Sequence, residues 1–200
     1  MTDIASIIEK SLKNGYTYNS YRAHIKELLE QGLSTGPAQS ELLTHYSTLN
    51  DVRMSRLDKT LGMPDTIVQK LQNLEQEYIA LVITEGWCGD AAQIVPVIHL
   101  MSEATHKLDL KLVLRDENPE LMDEYLTNGA RSIPIVVFVN KETLQPVAQW
   151  GPRPAGGTNL INEAKEKFGK VTDEAKTDLQ KWYLKDKGLS TMHEIAALLQ

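Results

Sequence analysis

Only one cysteine, Cys88, occurs in the 200 residues, so no disulfide can close within the chain. A structural zinc site would have to be built from histidines and carboxylates, and His24, His45, His106 and His193 are dispersed without ligand spacing, so no metal is expected. Positive charge is in deficit: Lys and Arg number 21 against 27 Asp and Glu, a net charge of -6 with a pI near 5.4. That balance argues against the broad phosphate-neutralising surface of a nucleic-acid binder. Uncharged runs of membrane-spanning length are missing, and Asp3 and Glu9 sit where a secretory leader beginning at Met1 needs a positive head and an apolar centre. A cytoplasmic protein with no membrane and no nucleic-acid partner is the expectation. No repeat at a period of 20 to 50 residues breaks the chain into an array.

What is present is ordinary globular usage, 42% hydrophobic and 24% charged, enough for one good core with additions. The periodicity shifts near residue 77. Before it, apolar residues recur at helical spacing: Ile4, Ile7, Ile8 and Leu12; Tyr21, Ile25, Leu28 and Leu29; Leu42, Leu43, Tyr46 and Leu49; Met54, Leu57 and Leu61. Gly15, Gly32, Gly36-Pro37, Gly62 and Pro64 punctuate them, and a further helix is predicted from Pro64 to about Gln76. Arg53 and Arg56, with Asp58 and Lys59 nearby, read as surface ion pairs.

After residue 77, short apolar runs alternate with helical stretches, as in a sheet with crossover helices. Tyr78–Thr84 is apolar at nearly every position, as a strand covered on both faces should be. The pattern continues with a helix over 89–105, a strand over 108–114, a helix from Asn118-Pro119-Glu120 to Asn128-Gly129, strands over 135–139 and 145–150, and a helix opened by Gly156-Gly157. The order is β-α-β-α-β-β-α around a central mixed sheet, an α/β architecture. It divides the chain into a helical extension over 1–76, a core over 77–169 and a charged helical appendix over 170–200. Leu179, Trp182 and Tyr183, then Met192, Ile195, Leu198 and Leu199, are the appendix's apolar stripes, separated by Gly188.

The informative segment is Trp87-Cys88-Gly89-Asp90-Ala91. A cysteine at a strand-to-helix turn meets unpaired backbone N–H groups and the positive end of the helix dipole, both favouring thiolate, and the flanking glycines suggest an exposed, reactive site. Asp90 opposes that shift, because a carboxylate disfavours a second negative charge beside it. His99, eleven residues further along the same predicted helix, lies about 16 Å away along its axis, too far for a general base.

Trp87-Cys88-Gly89-Asp90-Ala91 resembles the Trp-Cys-Gly-x-Cys active site of the thioredoxin superfamily, with alanine in the second cysteine position. Pro96 is similar to that family's helix-kinking proline, and Ser132-Ile133-Pro134 to its cis-proline loop; the match spans about residues 78 to 168. The chain most resembles an uncharacterised bacterial group with a Cys-Gly-Asp-Ala type site and a helical amino-terminal extension. The resemblance implies a thioredoxin fold, Cys88 as the catalytic thiol, and Trp87, Gly89, Asp90, Ala91, Ile133 and Pro134 around the substrate.

Two departures from the family shape the chemistry. Ala91 removes the resolving thiol, and Val82 stands where the family keeps a buried acid, leaving water or Glu85 to substitute. What remains is monothiol exchange: Cys88 attacks a disulfide or adduct, and an external thiol such as glutathione resolves the product with no bound cofactor. The partner would be a thiol- or disulfide-bearing protein or a small-molecule thiol. Arg131 and Arg153 are candidate anion-binding residues, and Gly156-Gly157 is similar to a helix-terminal carboxylate site. The alternative is a redox-inactive thioredoxin-fold module that binds proteins or peptides, the helical ends providing specificity. The amino-terminal helices are expected to pack on a face or edge of the sheet and to wall one side of the cysteine.

Overall fold

The structure, a computed structural model, describes residues 3–199; Met1, Thr2 and Gln200, the outermost residues of the extension, the leader region and the appendix, lie outside the described residues. The extension forms helices α1 (Ile4–Lys13), α2 (Tyr18–Glu30), α3 (Glu41–Thr60) and α4 (Asp65–Gln72). The core follows as β1 (Tyr78–Thr84), α5 (Ala91–Glu103), β2 (Leu108–Leu114), α6 (Pro119–Glu124), β3 (Ile135–Asn140), β4 (Pro146–Trp150) and α7 (Ala155–Phe168). Helices α8 (Asp173–Asp186) and α9 (Leu189–Leu198) complete the described chain. Among the described residues, no helix is long and apolar enough to cross a membrane.

The strands form one mixed sheet in the order β2-β1-β3-β4, with β1 parallel to β2 and antiparallel to β3. Ala80, Leu81, Val82 and Ile83 of β1 are wholly buried, so both faces of the central strand are covered. This is the thioredoxin-like arrangement with helical extensions. At the β2 edge, Tyr16 forms an antiparallel bridge with Leu112, its N–H donating to Leu112 O at 2.7 Å, so the amino-terminal segment covers an otherwise open strand edge.

Local chemistry explains most helix boundaries. Thr17 and Ser20 close a reciprocal capping box on α2, Ser40 accepts from Leu43 N–H on α3, and Thr172 accepts from Ala175 N–H on α8. Helix α4 ends at Gln72, earlier than the hydrophobic pattern indicates. Helix α6 is shorter still, because Asn128-Gly129 does not terminate a helix. The two residues have φ of 51° and 78° and form the centre of a tight turn bridged by Thr127 and Ala130, a backbone conformation that suits asparagine and glycine.

Helix α3 runs unbroken through both apolar groups that periodicity marks in it, but Leu42, Tyr46, Leu49 and Val52 face outward. Its buried face is Ser47, Asn50, Met54 and Leu57. Polar contacts set that orientation: Ser47 Oγ lies 2.6 Å from Ser34 Oγ, and Asn50 reaches the core. Arg22, buried on α2, is held by Asp51 and Asp58 of α3, each at 2.7 Å. Asp58 is therefore engaged by Arg22, and the surface ion pairing of Arg53 and Arg56 with it does not form.

Candidate functional site

The turn between β1 and α5 is fixed from the amino-terminal extension. Gly86 N–H donates to Thr35 Oγ1 at 2.8 Å, and Gly86 O accepts from Asn50 Nδ2 at 2.9 Å. A β-carbon on Gly86 would lie 3.3 Å from both Ile25 and Thr35, so the extension closes on this turn with little room for a side chain. Cys88 N–H then donates to Glu85 O at 3.1 Å, which sets the sulfur at the start of α5. Sγ accepts from Ala91 N–H at 3.5 Å and donates to Ile133 O at 3.3 Å. The Ile133-Pro134 peptide is cis, and so is Gly151-Pro152.

The expected open, activated thiol is not what the structure holds. Cys88 is 8% exposed, and its pKa is pushed up to about 12, first by burial and second by the Asp90 carboxylate. The N–H groups of Ala91 and Asp90 and the Arg153 guanidinium oppose the rise without overcoming it. Removing a thiolate from water costs more here than one helix terminus returns. The sulfur is consequently a protonated donor to Ile133 O at neutral pH.

The carboxy-terminal half ties down the residues that flank the sulfur. Tyr183 Oη of α8 donates to Asp90 Oδ1 at 2.9 Å, and Arg153 Nη2 contacts Asp90 Oδ2 at 2.6 Å. Gln93 Nε2 donates to Gln180 Oε1 of the same helix at 2.8 Å. With these partners the Asp90 side chain makes no capping bond on α5. Burial raises its pKa despite Arg153 and Tyr183.

The other expected site residues divide. Ala91, Ile133 and Pro134 are buried around the sulfur, whereas Gly89 and Trp87 retain partial exposure. Trp87 lies beneath the Arg115 guanidinium, 4.8 Å from its ring centroid. Arg153 joins the site through Asp90, but Arg131 is bound in a bidentate pair to Asp123, both bonds at 2.7 Å. Gly156-Gly157 does not offer a carboxylate site. Trp182 and Leu179 pack on the two glycines, and Glu194 already accepts from Ala155 N–H at 2.9 Å at that helix start. Glu85 is wholly buried below the turn: Oε1 accepts from Asp116 N–H at 3.1 Å, Thr35 also hydrogen-bonds its carboxyl, and Oε2 has no partner among the described residues. Burial raises its pKa.

Tyr183, Gln180, Asn50 and Arg53 are site neighbours that the sequence did not disclose. Tyr183 falls within an apolar stripe that announces packing, and nothing local tells where its hydroxyl points.

A family model described as Thioredoxin matches residues 36–167, beginning well before the segment over 78–168 that carries the motifs and taking in α3 and α4. Among solved structures, a protein of unknown function from Pseudomonas aeruginosa is similar at a TM-score of 0.65 with 15% identity, over 94% of this chain and 93% of the other. An HIV epitope-scaffold is similar at a TM-score of 0.58 with 17% identity, over 92% of this chain and 97% of the other. These likenesses concern the fold. No curated protein matches the chain.

Proposed function

The chain belongs to the thioredoxin family, and from that premise we propose that it is a monothiol thiol–disulfide exchange protein whose cysteine rests in a protonated, covered form. The observation that carries this reading is the position of the sole thiol. Sγ stands at the first N–H groups of α5 and against Ile133 O, at the border of the buried apolar cluster that includes Ala91 and Ile133, with Arg153 and Asp90 adjacent. A thiol so placed needs displacement of its cover, not rebuilding of its site, to meet a disulfide.

In the reaction, Cys88 loses its proton and its thiolate attacks one sulfur of a disulfide. The S–S bond breaks, a Cys88 mixed disulfide forms, and the released thiolate takes up a proton. Ala91 supplies no resolving thiol. A small-molecule thiol such as glutathione therefore attacks the mixed disulfide and regenerates Cys88, taking the partner sulfur with it and leaving a new disulfide. A reducing cytoplasm would supply that thiol. Trp87 and Gly89 would form the accessible rim for the incoming group, while Asp90, Ala91, Ile133 and Pro134 hold the sulfur.

The test is reduction of hydroxyethyl disulfide by reduced glutathione, comparing the wild type, Cys88→Ser and a Gly156→Val variant that loosens α8. Turnover should exceed that of free glutathione, rise in Gly156→Val and vanish in Cys88→Ser. Turnover equal to free glutathione in all three would overturn the reading.

The protonated state of Cys88 favours a second reading, a redox-silent module that docks protein or peptide partners. Under that reading partner capture survives Cys88→Ser unchanged; under the first it is lost.

A further inference from the structure

Arg53 of α3 is half-buried and, among the described residues, makes no ion pair. The other arginines with reduced exposure have carboxylates: Arg22 has Asp51 and Asp58, Arg115 has Asp116, and Arg153 has Asp90. Arg53 Nη1 donates only to Asn50 Oδ1 at 2.8 Å, and Asn50 in turn is anchored to Gly86 O. The guanidinium is thus positioned against the turn that carries Cys88. Its Nη1 lies 3.7 Å from the point where a β-carbon on Gly89 would stand. From the opposite element, α8, Gln180 Nε2 lies 3.6 Å from the same point, its Oε1 already engaged by Gln93. Two nitrogen donors, one of them charged, therefore face a partly exposed residue that has no side chain, directly after Cys88.

The nearby acid does not neutralise this charge, because Asp90 is committed to Arg153 and Tyr183. Burial, and Arg56 one turn away, both disfavour the Arg53 cation. An incoming anion would relieve both costs and complete a charge-assisted hydrogen-bond set.

We propose that Arg53, on α3 and so outside the cover, forms a carboxylate-binding subsite over Gly89, with Gln180 as a second donor while α8 is seated, so that the small molecules taken at Cys88 are thiols or disulfides bearing a carboxylate near the sulfur. The role in exchange rests on the monothiol reading; the binding itself does not. Arg53 acts here as a binding and specificity residue with no part in bond breaking.

The test uses S-methylglutathione, which carries carboxylates but neither a free thiol nor a disulfide, added to the full chain, with the Gly89 amide resonance as readout. Binding should shift that resonance, weaken roughly tenfold in Arg53→Gln, partly recover in Arg53→Lys, and weaken similarly for the diethyl ester of the same ligand. No shift at Gly89 with the wild type, or equal affinity of wild type and Arg53→Gln, would overturn the subsite. Because the ligand cannot react with Cys88, loss of exchange activity in the turnover assay would leave this result standing, and the reverse holds as well.

Discussion

Tyr183 Oη, on α8, donates to Asp90 Oδ1 at 2.9 Å across 93 residues of chain, and both side chains are buried beside the only thiol. The appendix is therefore part of the thiol's environment. Burying Asp90 requires that its oxygens be satisfied, and Tyr183 and Arg153 each serve one of them.

Tyr183→Phe should consequently lower stability by about 1.5–3 kcal/mol, the usual loss when a hydrogen bond to a buried charged group is removed. Urea denaturation would show a lower midpoint with an unchanged slope. The same variant should react faster at Cys88, since α8 loses a tie to the turn; a slower thiol would contradict the covering role.

The ionisation of Cys88 gives a second expectation. With its pKa pushed up to about 12, the rate of reaction with the neutral reagent 4,4′-dithiodipyridine should climb about tenfold per pH unit through the alkaline range and show no levelling near the free-thiol value of about 8.5. Asp90→Asn removes a charge that raises the thiol pKa, so its rate at neutral pH should increase. Arg153→Met removes a charge that lowers it, so its rate should fall. A plateau near pH 8 in the wild type would mean that the covered state is not the reacting one.

The fold was legible because the change in periodicity near residue 77 is physical: β1 is buried on both faces, and a two-sided strand cannot show the helical spacing that precedes it. The position of Cys88 at a strand-to-helix turn was legible for the same reason. Its accessibility was not. Gly86, Gly89 and Asp90 carry the local signature of an open loop, but exposure there is decided by Thr35, Asn50, Gln180 and Tyr183, all from outside the turn. Arg53 was misread on similar grounds. It reads as one of a surface group of charges with Asp58 nearby, yet it is half-buried, and Arg22 from another helix takes that carboxylate.

Glu85 yields an expectation about pH. Burial raises its folded-state pKa above the unfolded one, so the protonated form favours folding, and its contribution to stability is lost as pH rises through the folded value. Glu85→Gln removes the desolvated charge while keeping an oxygen for Asp116 N–H. The variant should be more stable than wild type at pH 8, with the difference shrinking toward pH 4. Denaturant midpoints at the two pH values measure it, and a variant less stable than wild type at pH 8 would count against the assignment.

The packing of α7 against α8 sets the last expectation. A β-carbon on Gly156 would lie 2.6 Å from Trp182 Cζ2, closer than real contacts allow, and a tight 3.1 Å from Cε2, and the indole ring cannot fold away as a flexible chain end would. Gly156→Val should therefore displace Trp182 and with it α8, costing about 1–3 kcal/mol through overpacking. Tyr183 and Gln180 belong to the same helix, so their hold on Asp90 and Gln93 should weaken together, and Cys88 should react faster with 4,4′-dithiodipyridine. The far-UV circular dichroism should stay near that of wild type, because the sheet and α5 do not depend on this contact. Gly62→Ala serves as the control: nothing lies within 4 Å of its added carbon, and it should alter neither stability nor thiol reactivity by a comparable amount. If Gly156→Val loses stability while Cys88 keeps its wild-type rate, α8 supports the fold without gating the thiol.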